Sequence, residues 1–426
     1  TSRGLGDVYK RQMLKPGETV VYILLAGLDE GDNCHEESLA AFGSEELVNQ
    51  AFERTKKYWL EKLNVSFRTG TLDFDNFLGW VSFQPMLRRI YGCSFLPHHD
   101  YGKGGRGWRD LWQDCLALLI MNPKGVKEML LSNFGGVRID GTNATIIGAK
   151  QGEFVADRNH ITRVWMDHGL WPLMTTALYI DQTGDLDFLL QENGYFKDKQ
   201  IERGTGTDLK FFEGDKPVQK DVQEREYVGS VLEHLLVQNL TSFYEVGEHN
   251  HMRLRGADWN DALDMASKRG ESVAFTAAYA GNMELLADLI ESLAEKRNLT
   301  FIEVAEEMKL LFTDDLALYD SIEKKQELLA AYCASCGHVI SGEKACLDVA
   351  EAVKSLRSKA AWIKEHIRKN EWIEDGTDGW FNSYYDDHGR KVEGFIEERV
   401  RMMLTGQVFT IMSGTAKEEQ IAKIVN

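Results

Sequence analysis

From about Phe77 onward the chain repeats one pattern, and that pattern limits its fold more than any other feature: apolar residues at helical intervals, closed by loops rich in glycine and aspartate. The runs DLWQDCLALLIMN, RVWMDHGLWPLMTTALYIDQTG, YVGSVLEHLLVQNLTSFYEVG, SVAFTAAYAGNMELLADLIESLAEK and AVKSLRSKAAWIKEHIRK all show it. Side chains three and four residues apart share one face of a helix, and an apolar face needs a partner to cover it. Strand-like runs are few here, so the partner is another helix. The expected class is mainly α, with helices in sequential pairs building a toroid of hairpins. Proline, which breaks helices, is scarce at 6 residues in 426.

Upstream the pattern differs. Residues 1–12, TSRGLGDVYKRQ, fit no periodicity and read as a translated adapter. Residues 18–31, ETVVYILLAGLDEG, form a continuous apolar run closed by glycine and aspartate, which predicts a buried strand. A single strand makes no sheet, so residues 13–33 are expected to be the remnant of a β domain and the chain a fragment. Residues 44–63 open with a serine before two glutamates and continue at helical spacing, predicting a capped helix in a linker over 34–75. The helical toroid is then expected over 76–426.

The formal charge of -18, from 67 acidic and 49 basic side chains, repels phosphate backbones and anionic lipid, so nucleic acid and membrane are not expected partners. No apolar run reaches the roughly 20 residues that span a bilayer, and no secretory signal is visible. A cytoplasmic location is expected. Six cysteines in so long a chain make no disulfide framework. CASCGH, with Cys333, Cys336 and His338, and Cys346 beyond it, admits a zinc reading but lacks a second pair, and ordinary reduced thiols are the preferred reading.

Tryptophan recurs beside charge in GWRDLWQD, RVWMDHGLW, ADWNDALD and DGWFNSYYDD. Any one of them could anchor a helix end. Four near loops point to carbohydrate, because an indole stacks on a sugar's C–H face while Asp, Asn and Arg hold its hydroxyls. In ADWNDALD, Asp258, Asp261 and Asp264 fall on one stripe if the segment is helical, where like charges and burial beside Trp259 would raise at least one pKa. A carboxylic acid kept protonated near neutral pH suits a departing glycosidic oxygen; the other reading is acidic crowding at a helix N-terminus. EVGEHNHMR offers Glu245, Glu248, His249 and His251, whose spacing matches no trusted zinc pattern, and no metal is assigned. FGGVRIDGTNATIIG lacks a phosphate-cradling motif and reads as a loop with Asp140 and Asn143 available to hydroxyls.

Together GRGWRDLWQD, DGTNATIIGA, RVWMDHGLWP and LRGADWNDALDMA, in that order, resemble the inverting disaccharide phosphorylases of glycoside hydrolase family 94. That family includes cellobiose, laminaribiose and chitobiose phosphorylases and the phosphorylase-like part of cyclic β-1,2-glucan synthases. The resemblance implies an N-terminal β-sandwich, of which residues 13–33 would be the last strand, a helical linker, and an (α/α) six-hairpin barrel, here truncated at its C-terminal end. It implies Asp261 as general acid, with Arg109, Asp114, Trp259, Asn260, Asp167 and His168 binding substrate. Two departures from the family pattern stand out: Met166 replaces the first aspartate of a DDH element, and Ala262 follows the acid where glycine is usual.

The implied reaction is phosphorolysis of a β-linked glucose disaccharide or oligosaccharide to α-glucose 1-phosphate and a shortened sugar. Phosphate arrives anionic and needs no protein base, so one acid suffices, no cofactor is required, and inorganic phosphate is the co-substrate. The resemblance implies a β-glucan saccharide and phosphate as partners, together with a homodimer, and places phosphate-holding residues beyond this chain. An inverting hydrolase would need a second carboxylate for water, for which Glu245, Glu248 and Asp386 are candidates. A non-catalytic carbohydrate-binding module would use the tryptophans alone.

Overall fold

A computed structural model describes residues 13–26, 34–63, 65–91, 106–148, 150, 152–156, 163–212, 214–396 and 399–425. The chain divides into two units, residues 1–79 and 80–426. Its helices are α1 (Cys34–Phe42), α2 (Glu45–Lys62), α3 (Leu72–Tyr91), α4 (Trp108–Met121), α5 (Val126–Phe134), α6 (Trp171–Thr183), α7 (Val231–Tyr244), α8 (Val273–Arg297), α9 (Leu316–Tyr319), α10 (Ile322–Cys336), α11 (Val349–Asn370), α12 (Leu404–Met412) and α13 (Glu418–Val425). The protein is mainly helical, as its periodicity predicts.

In the first unit α2 begins where the sequence says it should. Ser44 is its N-cap, and the hydroxyl accepts a hydrogen bond from the Leu47 N–H at 3.3 Å. The strand expected over residues 18–31 is not found: residues 18–26 are irregular and mostly exposed, while 27–31 lie outside the described residues, as do 1–12. Apolar content favours a strand only when a neighbour completes the hydrogen-bond ladder, and the described residues of this unit contain no strand.

In the second unit α7 and α8 are the core. Every residue of α7 is buried, as a helix needs neighbours all round when it is apolar all round. Two of its polar side chains are tied to neighbours: Glu233 accepts from the Tyr195 and Tyr227 hydroxyls at 2.8 and 3.0 Å and from Lys344 Nζ at 2.8 Å, and Asn239 accepts from Asn282 of α8 at 3.1 Å. The first seven residues of α8 are all buried; farther on, Met283, Leu286, Ile290 and Leu293 keep a one-sided stripe. Against α8 pack α11, through Ala352, Leu356, Ala360, Ile363 and Ile367, and α12, whose Phe409 ring lies 4.6 Å from that of Phe275. α4 and α6 pair beside them, joined by the Thr175 hydroxyl donating to the Trp112 carbonyl at 3.0 Å.

Sheet is confined to short antiparallel pieces, the longest pairing Phe301–Ala305 with Lys344–Asp348 in the register Phe301 to Asp348. Another, Glu271–Ser272 with Tyr384–Tyr385, fixes the start of α8. Among the described residues no helix is long and apolar enough to cross a membrane.

Candidate active site

Three separate sequence segments meet around one guanidinium. Arg109 stands in the first turn of α4, whose Trp108 N–H donates to the Thr145 carbonyl at 3.0 Å. Its Nε and Nη2 donate to the two oxygens of Asp167 at 2.6 and 3.0 Å, a two-pronged charge-assisted pair. Nη1 donates to Asp261 Oδ1 at 3.0 Å, and Nη2 also reaches the Asp258 carbonyl at 2.7 Å. Burial opposes the charge on Arg109, but Asp167 and then Asp261 outweigh it and hold its pKa above the ordinary value.

The sequence RVWMDHGLW builds the second wall. Only Trp171–Thr183 of the expected helix forms; the residues before it make turns. Trp165 bridges to both Arg255 and Ala257, and the Gly256 N–H donates to the Val164 carbonyl at 2.7 Å. A Cβ on Gly256 would stand 2.8 Å from that carbonyl, so the residue must be glycine for the two segments to lie together. Asp167 is fixed from the other side by Trp171 Nε1, which donates at 2.8 Å. The Arg109 guanidinium lies 5.2 Å over the Trp165 ring, and that ring stacks on His168.

His168 is buried. Burial first, then the charge on Arg109, push its pKa well below the usual imidazole range, so the ring is neutral. Its Nδ1 lies 3.1 Å from the Asn143 side-chain amide, and with that nitrogen accepting, the ring proton is on Nε2. Asn143 is therefore occupied in orienting His168. Asp140 is likewise engaged, by the Thr142 hydroxyl at 2.6 Å and the Arg203 N–H at 2.8 Å, which corrects the expectation that both residues are open to sugar hydroxyls.

The ADWNDALD segment is not one helix, and its aspartates do not form a stripe. Asn260 is extended (φ -88°, ψ 95°) and caps a short 3-10 helix, Asp261–Ala266, with its side chain accepting from the Ala262 N–H at 3.2 Å. That break sends Asp258 and Asp261 in opposite directions. Asp258 is fully buried, accepting from the Asn260 N–H at 2.9 Å and the Ser272 hydroxyl at 3.0 Å, whereas the Asp261 side chain is 70% exposed. Asp264 pairs with Arg163 at 3.6 Å. Trp259 is 56% exposed and offers an open indole, so it does not bury the acid as expected.

Burial, reinforced by the charge on Asp167, raises the Asp258 pKa to about 6. In the unfolded chain the carboxyl ionises near 3.8 and in the folded chain near 6, so folding takes up a proton between these values and stability falls as pH rises through the window. Asp258→Asn should remove that decline, gaining about 3 kcal/mol relative to the parent between about pH 4 and pH 7. Urea unfolding at both pH values measures it; parallel profiles in the two proteins would discard Asp258 as the source.

Asp114 follows Arg109 on the same helix. It is buried on α4 five residues beyond Arg109, roughly 140° farther around the helix axis. Residues the sequence reading did not single out, Trp165, Trp171 and Ser272, prove to hold the site; the first two sit in a quoted tryptophan-rich run, and Ser272 is the N-cap of α8. The histidine and carboxylate group EVGEHNHMR is dispersed: Glu245 pairs with Arg203 and Arg255, Glu248 with Arg269, His249 with Glu271 and His251 with Glu371. Cys333 and Cys336 lie buried within α10, and His338 Nδ1 lies 2.7 Å from Asp208. Among the described residues no group of three His, Cys, Asp or Glu side chains is placed to hold a metal.

Three known proteins are similar to this chain. Solabiose phosphorylase from Paenibacillus borealis is 24% identical over 413 residues, 96% of this chain and 40% of the relative. N,N'-diacetylchitobiose phosphorylase from Vibrio furnissii is 23% identical over 293 residues, 63% of this chain and 33% of the relative. The cyclic beta-(1,2)-glucan synthase of Rhizobium meliloti is 23% identical over 227 residues, 52% of this chain and 7% of the relative. The chain thus spans less than half the length of these curated relatives. The model of the glycosyl hydrolase 94 superfamily catalytic domain matches residues 58–310, more than half of the chain and the stretch that contains Arg109, Asp167, Asp258 and Asp261. The chain belongs to the glycosyl hydrolase 94 superfamily.

Proposed function

We propose that this chain carries the sugar-binding and acid-bearing part of an inverting disaccharide phosphorylase, built on an (α/α) six-hairpin barrel, that transfers a glucosyl unit from a β-linked disaccharide or oligosaccharide to inorganic phosphate. One observation carries the reading: within the matched domain, Arg109 gathers Asp167 and the backbone of Asp258 and sets the carboxylate of Asp261 at the surface beside the open indole of Trp259. A phosphorylase needs a proton donor that reaches the leaving oxygen and an aromatic face for a sugar. Asp261 gives its proton to the glycosidic oxygen as the bond to the anomeric carbon breaks. A phosphate oxygen forms the new bond from the opposite face, releasing the shortened sugar and α-glucose 1-phosphate. His168 and Asn260 shape the same wall.

The names of the relatives from Paenibacillus borealis and Vibrio furnissii, both phosphorylases, support the choice of phosphate as acceptor. A hydrolase on this fold is less well supported, since each candidate for a water-activating base is held by an arginine: Glu245 by Arg203 and Arg255, Glu248 by Arg269, and Asp386 by Arg390. The test is to incubate the protein with α-glucose 1-phosphate and a panel of acceptors, and to follow phosphate release. Release that depends on one acceptor is the expected result and identifies the linkage; cleavage of a glucan without phosphate would establish the hydrolase.

A further inference from the structure

We propose that a cavity bounded by the turn at Arg203, the loop carrying Arg253 and Arg255, and helix α10 is a second binding site, selective for the phosphate ester of a small sugar. The cavity measures about 490 Å³, within the size range of small-molecule sites. None of Arg109, Asp167, Asp258 and Asp261 lines it, so its occupancy is independent of the proposed reaction.

Charge makes the first argument. Glu245 is shared, with Oε2 2.5 Å from Arg203 Nε and Oε1 3.2 Å from Arg255 Nη1. Arg203 is further satisfied by its Nη1 donating to the Asp140 carbonyl at 3.0 Å and the Thr241 hydroxyl at 2.9 Å. Among the described residues, Arg255 has its part of Glu245 and donates to the Arg203 carbonyl at 3.0 Å. Arg253 donates to the Lys268 carbonyl at 3.1 Å and meets no carboxylate among the described residues. Three arginines, Arg203, Arg253 and Arg255, therefore line the cavity against two carboxylates, Glu202 and Glu245, which leaves an excess of one positive charge. Burial pushes the Arg255 pKa down, as expected of a cation whose charge is not fully matched. In a chain of net charge -18, such a concentration of cations is a local exception that an anion would relieve.

The backbone makes the second argument. Glu202, Arg203 and Arg255 hold left-handed conformations, with φ of 54°, 52° and 56°. Each costs on the order of 1 kcal/mol for a residue with a Cβ, and such strain collects where side chains are aimed at a ligand. Here it sits in two of the three arginines. Opposite them α10 supplies an apolar wall of Leu329, Ala330 and Ala334, suited to the C–H face of the sugar.

Calorimetric titration with glucose 6-phosphate, inorganic phosphate and glucose tests the proposal. Glucose 6-phosphate is expected to bind more tightly than either phosphate or glucose. Arg253→Gln should weaken it about tenfold or more by removing a charge-assisted partner. Ala330→Trp, at an exposed position of α10, should weaken it similarly by filling the mouth, which guards against a folding defect in the arginine variant. Asp261→Asn should leave this binding unchanged. No binding, equal binding of glucose, unchanged binding in both cavity variants, or loss in Asp261→Asn in place of them would each overturn the site.

Discussion

Asp261→Asn should lower phosphorolysis by a factor on the order of 10² to 10⁴ while shifting stability by less than about 1 kcal/mol. The amide keeps the size of the side chain but cannot give a proton to a leaving oxygen. The stability cost is small because the Asp261 side chain is 70% exposed, so its pair with Arg109 is largely screened. Initial rates with saturating phosphate, alongside thermal unfolding, separate the two effects. Retained turnover would remove Asp261 from the acid role, and a collapse in unfolding temperature would show that its role is structural. The neighbouring Asp258 makes the comparison informative. Its pKa is raised to about 6, the property wanted of a general acid, but its side chain is fully buried and cannot touch a sugar. Burial and access are divided between two aspartates three positions apart, and the proposed acid role goes to the accessible one, because a proton passes only to an atom within hydrogen-bond reach.

That division was not legible in the sequence. A spacing of three places Asp258, Asp261 and Asp264 together only if the segment is an α-helix, and Asn260 prevents it by capping a new turn with its own side chain. The asparagine was visible; its effect on the chain direction was not. The helices were legible because burial imposes a period on them, as in α8 and α11, and the start of α2 because Ser44 has a local role that needs no tertiary partner. The apolar run at residues 18–26 misled for the opposite reason, since a strand depends on a neighbour that its own residues do not encode. The gathering of Arg109 with Asp167 and Asp261 joins positions 58 and 152 apart, so no periodicity could reveal it. Family resemblance named those residues.

Asp167→Ala should be the most damaging single change in the site, costing about 3 to 5 kcal/mol of stability and abolishing turnover with it. Asp167 is fully buried and accepts three hydrogen bonds, two from Arg109 and one from Trp171. Its removal leaves a guanidinium that is only 13% exposed without its main counter-charge, and an indole N–H without an acceptor. Arg109 would then lean on the exposed Asp261 or swing outward, releasing the Asp258 carbonyl that it holds at 2.7 Å and with it the segment that carries Asp261. Arg109→Ala in the same background should add little further, because the two side chains act as one unit and their effects do not sum. Urea unfolding of both single variants and the double variant measures this coupling. Additive losses would mean that Arg109 and Asp167 are independent, and that the ion pair is not what orders the Asp258 to Asp261 segment.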